Sequence, residues 1–402
     1  MLSLNRILKN KKYLEHGKTI VFRYFLYGIG IIEGLALPYF LVDAPNLYSD
    51  IEYYKNAILL FPNVLLGSYN GYTYVKYNYG IDYFPALLKI GLVSSVIVAA
   101  VLGFSVNLPF LIFPLIFINL FTVIEQRLRV EKKFNLAFAF KPVLAFFSMV
   151  LAFIYFKFDV NVTFDKFIFF TFLISFVLWF LLSSRFINYS GISLKISRKD
   201  LIKYYVLVKK IFTSLLATIV VGLLIFFERY LVGKYYSVEL PTYTFGFKLS
   251  QIIVVLISSF SYLSNIFFGE KINLLNRNSL LKQLKVSLLS YSVLLIAFSL
   301  FLVIITPLYP QFNDILFVTL SIAAFKGFFF LTGIFSPIAV YKDFNNKLLI
   351  AITIISIINV SIALFIAINQ FSIYLLFFVD GICISLYSLF ILNIVFRKVK
   401  YS

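Results

Sequence analysis

The sequence predicts an all-α polytopic membrane protein, with about 12 transmembrane helices in two six-helix lobes and both termini cytoplasmic. Three observations predict it. Of 402 residues, 61% are hydrophobic and only 13% charged, where a soluble globular chain carries about a quarter charged residues. Apolar runs close to the ~20 residues that span a bilayer recur along the whole length. A polar, basic interval, Gly191–Lys210 (GISLKISRKDLIKYYVLVKK), divides them into two similar sets.

That interval sets Lys195, Arg198, Lys199, Lys203, Lys209 and Lys210 against one acid, Asp200. Leu201, Ile202, Tyr205 and Val208 fall near helical spacing, so the segment can lie as an amphipathic helix in the headgroup layer. It reads as a cytoplasmic link. The expected organisation is residues 1–190 as an N-lobe, 191–210 as the link and 211–402 as a C-lobe.

Six spans are expected before the link: Thr19–Val42, Tyr53–Val75, Phe84–Val106, Pro109–Val123, Phe134–Phe156 and Lys166–Ile187. Six follow it: Ile211–Val232, Tyr243–Phe268, Leu284–Ile305, Ile315–Pro337, Leu348–Ile368 and Phe371–Phe396. The last two are divided only by Asn369–Gln370. With the N-terminus inside, the inner segments hold Arg6, Lys9, Lys11, Lys12 and Lys18, then Lys76, then Arg127, Arg129, Lys132 and Lys133. The link follows, then Lys271, Arg277, Lys282 and Lys285, then Lys342 and Lys347, and finally Arg397, Lys398 and Lys400. The first outer loop holds Asp43, Asp50 and Glu52, and the outer face has few cations, chiefly Lys157, Lys166 and Lys234. Cations retained on one side fix the orientation.

The composition also excludes functions. The formal charge of +19 is carried by short loops between apolar runs, with no basic, aromatic-interleaved stripe of the kind that binds nucleic acid. One cysteine, Cys383, permits no intrachain disulfide, and a lone His16 far from it builds no zinc site. No metal and no cofactor are expected, since no Walker-type loop, GxSxG or paired-histidine motif occurs. No cleavable signal peptide is expected, because the first eighteen residues are polar and basic. Gly28-Ile29-Gly30-Ile31-Ile32-Glu33-Gly34 resembles a dinucleotide fingerprint but lies inside a span, so Gly30-xxx-Gly34 reads as a helix-packing face. Sequons at Asn161, Asn188 and Asn359 match by chance.

Charges within the spans carry the functional reading. An ionisable side chain at the bilayer centre costs roughly 2.5–3.5 kcal/mol on insertion scales, so such groups face protein or a water-filled cavity. Arg23, Lys55 and Glu228 lie near span ends and can snorkel, and Lys89 and Lys248 lie about a turn in. Glu33, Lys141, Lys326 and Asp380 are deeper. The bland alternative is internal ion pairing, such as Glu33 with a lysine or Lys326 with Asp380. The functional one is a net cationic cavity suited to a phosphate-bearing cargo, with acids that could switch on a proton or sodium ion. The halves also echo each other: ALPYFLVDAPNLYSDIEYYKNAILLFP and FFERYLVGKYYSVELPTYTFGFKLSQ each place a lysine, Lys55 or Lys248, on a returning helix, as transporters built from repeats do.

Glu228-Arg229, Leu231-Val232-Gly233, Tyr243 and Gly246 match the pattern around the seventh and eighth spans of a known family. Glu125-Gln126-Arg127-Leu128-Arg129 and Thr306-Pro307-Leu308-Tyr309-Pro310 also fit. On these residues and the span count, the chain resembles the polysaccharide (O-antigen or capsule repeat-unit) flippases of the MATE-like multidrug/oligosaccharidyl-lipid/polysaccharide (MOP) exporter superfamily. Ser264-Asn265 departs from a proline common there. The resemblance implies two six-helix bundles in a V, opening alternately to either face. The implied cargo is an undecaprenyl-pyrophosphate-linked oligosaccharide, moved across the bacterial inner membrane. The implied partners are that lipid-linked substrate, the bilayer, H+ or Na+, and the polymerase and chain-length proteins of the same pathway. By position, Arg23, Lys55, Lys89, Lys141, Lys248 and Lys326 are the candidate cavity cations, and Glu33, Asp380 and Glu228 the candidate coupling acids. Two alternatives stand beside it. A multidrug/cation antiporter of the same superfamily would favour a more acidic cavity. An integral-membrane polysaccharide polymerase would be an enzyme, and it would need a long outer loop that the sequence lacks.

Overall fold

The computed structural model describes residues 11–66, 83–105, 107–131, 133–158, 163–185, 195–253, 277–312, 314–332, 335 and 344–398. Among these residues the chain is helical and has no strand. Twelve helices follow in order: α1 Lys11–Phe40, α2 Pro45–Leu66, α3 Phe84–Ser105, α4 Ile112–Val130, α5 Phe134–Phe158 and α6 Phe164–Ser184. Then come α7 Arg198–Tyr235, α8 over 240–253, α9 Arg277–Ile305, α10 Ile315–Thr332, α11 Asn345–Ile368 and α12 Ile373–Lys398. Seven of the helices are long and apolar enough to cross a membrane, so the chain is a multi-pass membrane protein.

The turns explain where helices stop. Asn107, Asp314 and Gln370 adopt φ of 55°, 56° and 51°, the left-handed region that short polar side chains tolerate best. At the brief turn between α11 and α12, the Gln370 and Phe371 amides return to the carbonyls of Ala367 and Ile366 at 3.1 Å each. This C-cap closes α11 before α12 can continue it. Two separate helices result.

The chain divides into two compact units. Unit 1 comprises Met1–Leu41 and Asp50–Leu215, and unit 2 comprises Val42–Ser49 and Leu216–Ser402. In unit 1, α1 lies along α5, α4 packs against α3, α5 and α6, and α5 packs against α6. Its core stacks Phe121 on Phe140 at 4.1 Å with Trp179 edge-on at 4.8 Å. The Trp179 indole donates to the Leu136 carbonyl at 3.0 Å, so the buried ring keeps its polar group satisfied. Asn119 does the same across α4 and α3, donating to the Gly91 carbonyl at 2.9 Å.

In unit 2, α12 packs on both α10 and α11. The Tyr236 hydroxyl donates to the Phe371 carbonyl at 2.6 Å and that of Tyr291 to the Ala324 carbonyl at 2.7 Å. Tyr48, from the segment shared by the α1–α2 turn and the start of α2, packs in this unit with ring centroids 5.9 Å from Phe312 and 6.3 Å from Phe245.

Three expectations change. Glu52 lies in α2, seven residues in from Pro45, and is 1% exposed; the helix begins earlier than its polar first turn suggested. The fourth span continues to Val130, so Glu125–Arg129 are its last turns. A Cβ added to Gly30 would meet nothing within 4 Å, so Gly30 marks no close helix crossing. Ser264 and Asn265 lie outside the described residues.

Candidate functional site

Each unit buries a polar cluster, and helix lengths set their depth. Glu33 stands seven residues before the end of α1 and Glu52 seven after the start of α2. Glu228 stands seven before the end of α7 and Asp380 seven after the start of α12. At 1.5 Å per residue each acid is ~10 Å along its helix from an odd-to-even turn. All four are at most 6% exposed.

In unit 1 the cluster is an ion triad. The Lys55 ammonium donates to the carboxylates of Glu33 and Glu52. Asn56 turns its amide onto Glu52, 2.6 Å from the backbone carbonyl and 3.3 Å from the carboxylate. Glu52 and Lys55 meet because three residues bring side chains onto one helix face, and Glu33 reaches them from α1 beside the tight turn. Such a set survives burial only when its hydrogen bonds satisfy the charges.

In unit 2 the cluster is built differently. Arg229 lays its guanidinium 3.7 Å from the centroid of the Phe247 ring, a cation–π contact that supplies attraction without a counter-ion. Tyr243 is fully enclosed, within electrostatic reach of Glu228, Arg229 and Asp380. Asp380 accepts a hydrogen bond at 3.2 Å from Asn359 of α11.

Lys89 occupies a third setting. Its ammonium donates to Asp200 Oδ2 at 2.9 Å and to the Lys195 carbonyl at 3.2 Å, which ties α3 to the first turn of α7. Asp200 Oδ2 also accepts from the Ser197 amide at 3.0 Å and hydroxyl at 2.8 Å, while the Asp200 amide donates to the Ser197 hydroxyl oxygen at 3.2 Å. This is a reciprocal capping box at the helix start. The Ser197 amide first, then Lys89 and the Ser197 hydroxyl, hold the Asp200 carboxyl down at about 2. Lys89 is therefore committed to the link rather than offered to a cavity.

Lys141 is exposed on α5. Its neighbours at helical spacing, Ala137, Leu144, Ala145 and Ser148, are all buried, so its side chain leaves the helix on the packed face yet meets open space. No ion pair to it occurs among the described residues. Lys248 is half-buried on α8. The side chains of Arg23 and Lys326 lie outside the described ones. The expected pairing of Glu33 with a lysine is thus realised, and a Lys326–Asp380 pair falls outside what is described.

The sequence reasoning missed Glu52, Arg229, Tyr243 and Asn359 as site members. The three-residue spacing of Glu52 and Lys55 was the readable signal for one of them. No single-helix pattern could bring Asn359 to Asp380. No group of three metal-ligating side chains converges among the described residues.

No family model matches this chain, and no curated protein matches it. Solved structures do. A multidrug resistance MATE family transporter of the MOP superfamily, in an inward-facing conformation, aligns with 95% of this chain and 99% of its own at 14% identity and TM-score 0.63. A MOP superfamily transporter from Pyrococcus furiosus, described as having a binding pocket of reversed polarity, aligns with 95% of this chain and 96% of its own at 13% identity and TM-score 0.61. MATE in the bent conformation aligns with the same shares at 14% identity and TM-score 0.61. The chain has the MATE-type transporter fold over nearly its whole length.

Proposed function

We propose that this protein is a flippase that moves undecaprenyl-pyrophosphate-linked oligosaccharide repeat units, of O-antigen or capsule, across the bacterial inner membrane. It works by alternating access, with both termini cytoplasmic as the lysine and arginine distribution directs, and it performs no covalent chemistry on its cargo. The observation that carries the reading is Lys141, an exposed cation on the packed face of a spanning helix. A lysine at that depth is costly unless water or an anion meets it, and an ammonium binds phosphate oxygens as a point charge. Lys326 and Lys248 are the further candidate contacts to the pyrophosphate.

The four acids at equal depth support coupling to H+ or Na+, because their charge state responds to whatever enters beside them. Glu33, Glu228 and Asp380 keep the role given them from sequence, and Glu52 joins them. Lys55 acts as the internal counter-ion of its cluster.

Deletion of the gene in its host tests the reading. Completed lipid-linked repeat units build up on the cytoplasmic leaflet, and neither Lys141→Ala nor Lys326→Ala restores surface glycan although both proteins are present at normal level. Export at the wild-type rate by both variants overturns it.

A second reading is a multidrug/cation antiporter of the same superfamily. The unit 1 cluster favours it, since Lys55 stands between two buried acids, and one solved neighbour is a multidrug resistance transporter. Efflux of cationic dyes, with surface glycan unaltered in the deletion strain, would establish that reading instead.

A further inference from the structure

α7 is 38 residues long, ~57 Å at 1.5 Å per residue, against a hydrocarbon core of ~30 Å. Its first four turns therefore outrun the membrane interior. The two sides of this overhang differ. On one side Asp200 is clasped by Lys89, Leu207 is fully buried in the unit 1 core, and Tyr204 packs against it. The clasp fixes the rotation of the helix about its own axis.

The opposite side is left uncovered. Leu201, Ile202, Tyr205 and Phe212 are 53%, 54%, 65% and 52% exposed, with Arg198 and Lys209 exposed among them, Lys199 exposed at the flank, and Lys203 exposed nearer the clasped side. Water alone disfavours the four apolar groups, and hydrocarbon disfavours the four cations. The headgroup layer accommodates both, with rings and aliphatic chains at the acyl boundary and ammonium groups level with the phosphates.

We propose that this face of α7 is a seat for anionic phospholipid headgroups of the cytoplasmic leaflet. Charge complementarity selects lipid phosphate as the occupant, and continuity of the helix with its spanning portion places the seat at the membrane surface. The clasp holds the seat in register whether or not lipid is bound. The proposal rests on the cytoplasmic orientation given above and is independent of the cargo.

The test uses the full-length protein carrying Ile202→Cys, labelled with an environment-sensitive dye and placed in nanodiscs of phosphatidylcholine with or without phosphatidylglycerol. The expected result is quenching by lipids that carry a quencher at interfacial depth and shielding from aqueous acrylamide. Both effects should strengthen with phosphatidylglycerol. Replacing Arg198, Lys199 and Lys209 with Gln should remove the phosphatidylglycerol effect, weakening retention of that lipid about fivefold per cation. A dye equally open to acrylamide in both nanodiscs overturns the proposal, as does indifference to phosphatidylglycerol in the protein with these cations intact. Labelling the same cysteine with a membrane-impermeant reagent in cells and in inverted vesicles reports the orientation separately.

Discussion

Unit 1 and unit 2 hold their acids at the same depth and surround them with different groups. In unit 1, Glu33 and Glu52 close directly on Lys55. In unit 2, Arg229 rests on the face of Phe247, and Asp380 is supported by the Asn359 amide. A direct ion triad depends on every member, because removing one leaves buried charge uncompensated. A cation on an aromatic face, with neutral hydrogen-bond donors nearby, spreads that dependence over several weaker contacts. The first arrangement ties the charge of either glutamate to the lysine between them, and the second ties it to weaker contacts.

The comparison can be broken most directly at Lys55. Lys55→Met strands two glutamates in the interior and should cost about 3–5 kcal/mol, read as a large drop in thermal unfolding temperature in detergent. Combining it with Glu33→Gln and Glu52→Gln should recover most of that loss. Failure of the triple variant to recover would show that the lysine holds the helices by packing rather than by charge.

Arg229→Met should be milder, about 2 kcal/mol, the scale of a desolvated cation–π contact. A loss as large as that at Lys55 would mean the two clusters are alike after all. Packing around the unit 2 cluster is tight as well. A Cβ on Gly246 would stand 2.9 Å from Val318 Cγ1 and 3.4 Å from the Thr319 backbone nitrogen. Gly246→Ala should therefore destabilise by about 1–2 kcal/mol through overpacking, measurable in the same melt. Unchanged stability would show that α8 can withdraw from α10.

The smallest effect lies outside both clusters, at the Lys89–Asp200 clasp. Folding lowers the Asp200 carboxyl from 3.8 to about 2, so the folded state binds fewer protons than the unfolded state between those values. Stability from this group is complete above about pH 4 and is lost as pH falls through about 2. Asp200→Asn should abolish that part of the acid sensitivity, seen as a flatter dependence of unfolding temperature on pH between 5 and 2. Equal slopes in the two proteins would remove the clasp as an electrostatic contact.

Much of this molecule was legible in one dimension. Span length follows from bilayer thickness, so apolar runs gave twelve helices. The turn at Asn369–Gln370 was visible as the only polar break between two runs, and a left-handed residue closes α11 there. Glu33, Lys141, Lys326 and Asp380 stood out because charge in lipid is expensive. Partnership was not legible. Lys89 looked like a cavity cation and instead holds the start of α7, more than a hundred residues away. Gly30 looked like a packing glycine and faces open space.

The sequence by itself therefore determined that the chain crosses a membrane repeatedly and, to within a turn or two, how far along its helix a charge stands, because both are set by composition and rise per residue. Only the tertiary structure decided which charges meet. It drew Lys55 between two glutamates, set Arg229 on Phe247 and left Lys141 exposed among buried neighbours. Helix rotation and the choice of neighbouring helix fix those outcomes, and they are settled by packing among distant segments rather than by the local order of residues.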